Sequence, residues 1–186
     1  MRHLGHQYYV GLLFAARLHG VSHQVPMVLQ VVTPALLRNR RIGSNRIEFI
    51  RRSSAARRST MQHNVPTGRI TVAAPVVTVL DLVEALSSGG GLGNVATVIG
   101  DLLQEDAING DALADAAADY PTVVAQRTGY VVEYMAGEMD VPIQLDRLEQ
   151  LLDDAAYIML DPQQPRTGER EARWRMIVNA DIEHDL

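Results

Sequence analysis

The spacing of apolar positions along the chain changes period twice. Over residues 8–19, YYVGLLFAARLH, Tyr9, Leu12, Leu13 and Ala16 fall at helical spacing, and Gly20 follows as a natural stop. This predicts a first helix. Residues 27–33, MVLQVVT, are apolar and β-branched and end before Pro34, which predicts a strand. Gly43, Ser44 and Asn45 then supply turn chemistry between Arg41-Ile42 and residues 46–51. A hairpin is expected there, with Ile47 and Phe49 on one face of its second strand and Arg46, Glu48 and Ile50 on the other. Residues 53–66 are polar and read as a loop or a short helix. Gly68 opens another strand, RITVAA. Pro75 stands where a helix starts, and Val77, Leu80, Val83 and Leu86 make one stripe along PVVTVLDLVEAL.

From Asn94 the period is helical. Residues 94–105, 110–119, 122–136 and 143–154 are four candidate helices, with Asn94, Asp111 and Thr122 as expected N-caps. The glycine-rich stretch 87–94 reads as a flexible linker before them. Strand-like text returns at residues 156–161 and 172–179, separated by a polar loop. The expected architecture is α+β: an N-terminal helix, a small mixed or antiparallel sheet, a helical middle section, and a closing strand pair able to rejoin the sheet. The expected organisation is a single domain over 1–186, with the helix and basic sheet in 1–87 and the mainly helical part in 94–186.

Charge alters this picture because it is sorted. Residues 1–72 carry eleven arginines against one acid, Glu48, while the rest carries six arginines against 21 acids; the total is −5. A basic front can meet phosphate or an acidic partner while an acidic rear keeps the chain in solution. There is no lysine. A gene rich in G and C accounts for that, but the consequence is chemical: lysine P-loops, Schiff bases and lysine general bases are excluded. Cysteine is absent too, which removes disulfides and thiolate chemistry and fits a reducing cytoplasm, the expected location. No apolar run is long enough for a membrane helix, so no membrane partner is expected. Arg17 interrupts the first apolar run, which argues against a signal peptide.

Catalytic motifs are thin. Gly89–Gly93 follows a predicted helix rather than a strand and lacks phosphate-loop spacing. His19 and His23 are four apart, but Gly20 ends the helix between them, so a shared zinc is not expected. No nucleophile elbow is present. No cofactor, no metal and no catalytic residue is expected. An alternative is a metal-dependent nuclease using Asp161, Asp181 and Glu183 beside the last strands. A second alternative is a pure protein-interaction module working through the acidic helices of 101–154.

The strongest chemical signal is arginine density. Arg38, Arg40, Arg41, Arg46, Arg51, Arg52, Arg57 and Arg58 lie within 21 residues, with Glu48 the sole acid among them. A guanidinium is planar, permanently charged and matched to phosphate. On a hairpin and its flanks these eight side chains would form a basic ridge, contacting nucleic acid or an acidic partner. They would equally serve as a solvated face or as an internal match to the acidic rear. With Phe49 the one interleaved aromatic, single-strand stacking is not expected.

Read in order, YYVGLLFAARLHGVSHQVPMVLQVVT, NRIEFIRR, GRITVAAPVVTVLDLV, GGGLGNVATVIGDL, QRTGYVVEYM, LDPQQP and RWRMIVNADIEHD resemble the C-terminal domain of the AbiEi family, antitoxins of type IV toxin–antitoxin (abortive-infection) systems. The resemblance spans roughly 8–185. It implies a non-enzyme that counteracts a nucleotidyltransferase-type toxin and supports regulation of transcription in phage defence. In that family a winged helix precedes this domain; seven residues precede the first predicted helix here, so that reading head is expected to be missing. Duplex DNA and the cognate toxin are the implied partners. Tyr8, Tyr9, His19, Gly20, Asp81, Leu82, Arg127, Trp174 and Asn179 match the family text. They read as scaffold, with Asp81 bonded to backbone or an arginine and Trp174 anchoring the terminal strand.

Overall fold

A computed structural model of the chain describes residues 7–21, 26–66 and 68–185. His23 lies outside them, so the expectation for the His19/His23 pair is not addressed. The fold is mixed α and β, as the periodicity predicts, but its boundaries carry several corrections.

The first predicted helix is divided. Tyr9–Val10 form a short strand, β1, and Leu12–Leu18 form helix α1. Gly11 makes the junction because a Cβ there would lie 3.0 Å from Val32 and 3.1 Å from an Asp81 oxygen. Gly20 ends the helix region at φ +86°, as expected. Strand β2 is Val28–Thr33, and the hairpin forms from β3, Arg40–Ile42, and β4, Asn45–Arg51. Ser53–Ala56 is a 3-10 turn. Residues 60–65 are a strand, β5, not a loop or helix; it pairs antiparallel with β6, Gly68–Ala73. The six strands lie in the order β3-β4-β2-β1-β6-β5, with β2–β4 and β1–β6 parallel. Gln30 ties this sheet to the helices. Its Oε1 accepts from the Leu13 amide at 3.1 Å, and its Nε2 donates to the Ser88 carbonyl at 3.1 Å.

Helix α2, Pro75–Glu84, starts at its proline. It is buried from Val77 through Val83, more than a single stripe, because α1, β6 and three later helices contact it on different sides. Those helices are α3, Leu92–Gln104, α4, Gly110–Ala117, and α5, Thr122–Glu138. The glycine stretch between α2 and α3 is an ordered turn, not a linker: the Gly91 amide bonds Leu86 O at 2.8 Å, and Gly90 and Gly91 take φ +82° and +93°. The expected caps shift. Asn94 lies inside α3 and donates back to Gly89 O; Asn109, not Asp111, caps α4; Pro121 precedes α5. The segment 143–154 is helical only at Asp146–Glu149, α6, with a 3-10 turn at Gln150–Leu152.

The closing strands do not rejoin the first sheet. Ile158–Met159, β7, and Met176–Val178, β9, pair parallel, and Glu169–Glu171, β8, completes a separate sheet in the order β7-β9-β8. That sheet is fastened to α5 by polar side chains. Gln126 donates to Ala156 O and Trp174 O, while Arg127 donates to Leu160 O at 2.8 Å and Met159 O at 3.0 Å. Asn179 bonds both backbone groups of Asp161. Trp174 is fully buried against Gly129 of α5, and its indole N–H reaches Glu133 Oε2 at 2.6 Å. These are the scaffold roles expected of Arg127, Trp174 and Asn179. The core from both sheets is one continuous cluster of buried side chains.

Gly129 leaves no room for a methyl group beside the indole. Gly129→Ala is therefore expected to lower stability by about 1–3 kcal/mol through overpacking. Urea denaturation checks this, and an unchanged midpoint would mean the indole yields without cost.

His19 Nε2 lies 2.9 Å from Ala73 O and 3.3 Å from Thr78 Oγ1. Burial lowers its pKa from the ordinary 6.5, helped by His63 and opposed by the Ala73 bond. A depressed histidine contributes stability above its unfolded pKa and loses it as pH falls. Between about pH 7 and pH 5, His19→Gln should show a flatter decline in stability than the parent protein. Parallel slopes in denaturation across that range would contradict this.

Candidate functional site

The eight arginines of the expected ridge are split by the fold. Three find acids in the rear of the chain. Arg58 enters the core, with its side chain 2% exposed, and its Nη1 meets Asp81 Oδ1 at 2.6 Å. Its Nη2 reaches Glu84 Oε2 at 3.2 Å, where Arg52 Nε also binds at 2.8 Å. Arg57 pairs with Asp119 at 2.6 Å near the surface. Arg58 thus leaves the phosphate-facing set, because a buried, paired guanidinium presents nothing to solvent.

The Arg58–Asp81 pair is the centre of a polar cluster sealed in the core. Tyr9 of β1 donates to Asp81 Oδ2 at 3.0 Å, and Tyr120, between α4 and α5, donates to Asp81 Oδ1 at 2.8 Å. The Arg58 guanidinium stacks 3.7 Å from the Tyr120 ring centroid. Burial pushes Asp81 up to about 6, against the pull of Arg58 and of the two phenol donors. Burial, and then Asp81, raise both phenols above the ordinary tyrosine range. For Arg58 burial works against the charge, and Asp81, Tyr120 and Tyr9 together outweigh it, so the guanidinium is held in its charged form. The cluster joins β1, the approach to β5, α2 and the α4–α5 junction. Its carboxylates, phenols and the two terminal guanidinium nitrogens bond one another, while Arg58 Nε is buried without a hydrogen-bond partner among the described residues.

The other five arginines, Arg38, Arg40, Arg41, Arg46 and Arg51, are exposed on and around the β3–β4 edge of the first sheet. Among the described residues none of them forms an ion pair. Arg41 and Arg46 stand directly opposite across the hairpin, with Arg40 opposite Ile47. Like charges in opposed positions repel, so this edge favours a bound anion. Arg41 Nε bonds Gly43 O at 3.2 Å and Arg51 Nε bonds Pro34 O at 3.4 Å, which fixes part of their direction. A shallow cleft lies among Val28, Asn39, Arg40, Arg41, Arg46, Ile47 and Glu48.

The nuclease carboxylates do not converge. Asp161 Oδ1 accepts from the Gln163 amide in a local turn, and the Glu183 backbone lies against Gly93. Among the described residues no three His, Asp or Glu side chains group as a metal ion requires. Among them, too, no helix is long and apolar enough to cross a membrane.

Residues 9–134 match the AbiEi antitoxin C-terminal domain. The chain belongs to that family. The match takes in the first sheet, the buried Arg58–Asp81 cluster and α2 to α4, and ends inside α5. The family is one of antitoxin domains. The chain is also similar in fold to the crystal structure of the RV2827C protein from Mycobacterium tuberculosis, with a TM-score of 0.60 at 12% identity over 91% of this chain. The chain spans 61% of the length of that structure. Comparison with curated protein sequences returns no match.

Sequence reading found Asp81 and Tyr9 as family positions but missed Tyr120, which looks like an ordinary apolar residue in its segment. It also missed that Arg58 differs from its neighbours. The available signal was the Arg57-Arg58 pair before a strand, facing a helix that holds the acids Asp81 and Glu84.

Removing Arg58 alone strands the Asp81 carboxylate in the core. Arg58→Met is expected to cost about 3–5 kcal/mol at pH 7, and Arg58→Met with Asp81→Leu less than the single change. The single variant's loss should shrink at pH 5, because Asp81 then takes up a proton more readily. Denaturant titrations of both variants at both pH values test this; a double variant worse than the single would refute the pairing.

Proposed function

We propose that this AbiEi domain is a non-catalytic antitoxin and regulator of a type IV, phage-defence toxin–antitoxin system. It counteracts a nucleotidyltransferase toxin and adds sequence-independent phosphate contacts to DNA through Arg38, Arg40, Arg41, Arg46 and Arg51. The observation carrying the DNA part is the charge on one sheet edge: among the described residues Arg52, Arg57 and Arg58 are paired with acids, and these five form no ion pair. Phosphate contacts position a protein on a duplex but do not read bases. Transcriptional regulation therefore rests on base contacts made by other surfaces, with this edge supplying affinity. The toxin-directed part rests on family membership. Among the described residues, the continuous core supports reading them as one domain.

Duplex binding measured across a salt series tests the reading. Five phosphate contacts give a log affinity that falls with log salt at a slope of about −4 to −5. Replacing Arg40, Arg41 and Arg46 by alanine should bring that slope nearer zero by about 3 and weaken binding to all sequences alike. Absence of binding at low salt, or a slope that the triple variant leaves in place, would overturn the DNA role.

A further inference from the structure

The opposite edge of the first sheet has a different character. Strand β5, Thr60–Val65, is its last strand, and among the described residues no strand pairs with its outer side. Its pairing with β6 is unbroken from Thr60↔Ala73 to Val65↔Gly68. The Ala74 amide bonds Ser59 O at 3.1 Å, which makes Ser59–Ala74 a hydrogen-bonded pair. Pairs alternate in an antiparallel ladder, so Met61, His63 and Val65 bond inward to β6. The amides and carbonyls of Thr60, Gln62 and Asn64 then point outward, away from the sheet.

Natural edge strands are blunted with lysine, proline, inward charge or a bulge. TMQHNV has no lysine, arginine, acid or proline, and its register contains no bulge. The outward groups are centred on Gln62. A second β5 laid antiparallel about that residue places Gln62 opposite Gln62 and Thr60 opposite Asn64, so every outward donor meets an acceptor. In the same register Met61, which is 44% exposed, lies beside His63 of the other copy and loses water.

We propose that β5 is a homodimer interface, with two copies joining edge to edge about Gln62 into one continuous twelve-stranded sheet. The occupant is a second copy rather than a charged ligand, because the strand is neutral and complementary to itself. Electrostatics permit this despite the basic front section. The five unmatched arginines lie on and around β3 and β4, four or five strand spacings of about 4.8 Å from β5, or ~19–24 Å away, and Arg69 of β6, opposite Asn64, stays three spacings, about 14 Å, from its counterpart across the pair; both separations exceed the Debye length of about 8 Å at physiological salt. The dimer would carry its two arginine edges at opposite ends, leaving both open.

The chain has no cysteine, so a single introduced thiol reports the register. In a hydrogen-bonded pair opposed Cα atoms stand about 5.5 Å apart, within disulfide reach. Gln62→Cys is expected to form a covalent dimer on mild oxidation, and Ser44→Cys, at the tip of the β3–β4 hairpin, is not. Light scattering or sedimentation of the parent protein, up to roughly 200 µM, should show a concentration-dependent shift from monomer to dimer mass. Gln62→Lys puts like charges on the two-fold axis, and Gln62→Pro removes an outward amide; each should weaken the dimer at least tenfold, with an unchanged circular dichroism spectrum for Gln62→Lys. A parent that stays monomeric, a dimer that Gln62→Lys leaves intact, or Gln62→Cys crosslinking no faster than Ser44→Cys would each overturn the proposal.

Discussion

Asp81 sits in the middle of α2, the helix around which α1, the first sheet and α3 to α5 assemble, and it brings a charge into the buried core. Desolvating a carboxylate costs several kcal/mol, and a guanidinium costs as much again. Their mutual attraction at an effective dielectric near 20 returns only about 4 kcal/mol. The pair is tolerable because the remaining acceptor capacity of Asp81 is taken up by Tyr9 and Tyr120, and because Arg58 also meets Glu84 and the face of Tyr120. Each partner comes from a different element. If any one is displaced, a buried polar group loses its match, so the cluster specifies how β1, the approach to β5, α2 and the α4–α5 junction sit together.

The sorted charge of the chain follows partly from this geometry. Residues 52–58 carry three arginines, and the fold brings them against Glu84, Asp81 and Asp119. Part of the basic front is therefore a counterpart to the acidic rear, connecting the two through the core and its margin. The surface pairs add little stability by themselves, since exposed ion pairs are typically worth less than about 1 kcal/mol. Arg173 repeats the pattern at the other end of the molecule, where it lies among Glu133, Asp146 and Glu149 beside Trp174.

Legibility in the sequence followed how much each element owes to its own residues. The β2 strand, the β3–β4 hairpin, the start of α2 at Pro75 and the helices α3 to α5 have local patterns strong enough to read directly. β1 was hidden because two residues, Tyr9 and Val10, run without a break into an apolar helix, and only the close approach of Val32 and Asp81 at Gly11 separates them. β5 was hidden because its residues are polar; its strand character comes from β6 beside it. The second sheet was hidden because β8 lies in loop-like text and is held by β9 and α5. The arginine ridge was half legible. Composition shows a density of cations, but which of them are matched depends on acids 23 to 62 residues away along the chain.

The two edges of the first sheet show how an edge strand can be managed in opposite ways. At β3 the edge is short, three residues long, and charged, with Arg41 and Arg46 opposed. Repulsion there discourages another strand and favours an anion. At β5 the edge is six residues long and neutral, so nothing in its side chains discourages pairing. Since outward amides and carbonyls are satisfied by water or by another strand, neutrality and length tilt β5 toward the second. A sheet with one repulsive edge and one receptive edge can associate in only one direction: pairing through β5 stops at two copies, because each copy then presents only the β3 edge, where charge opposes further growth.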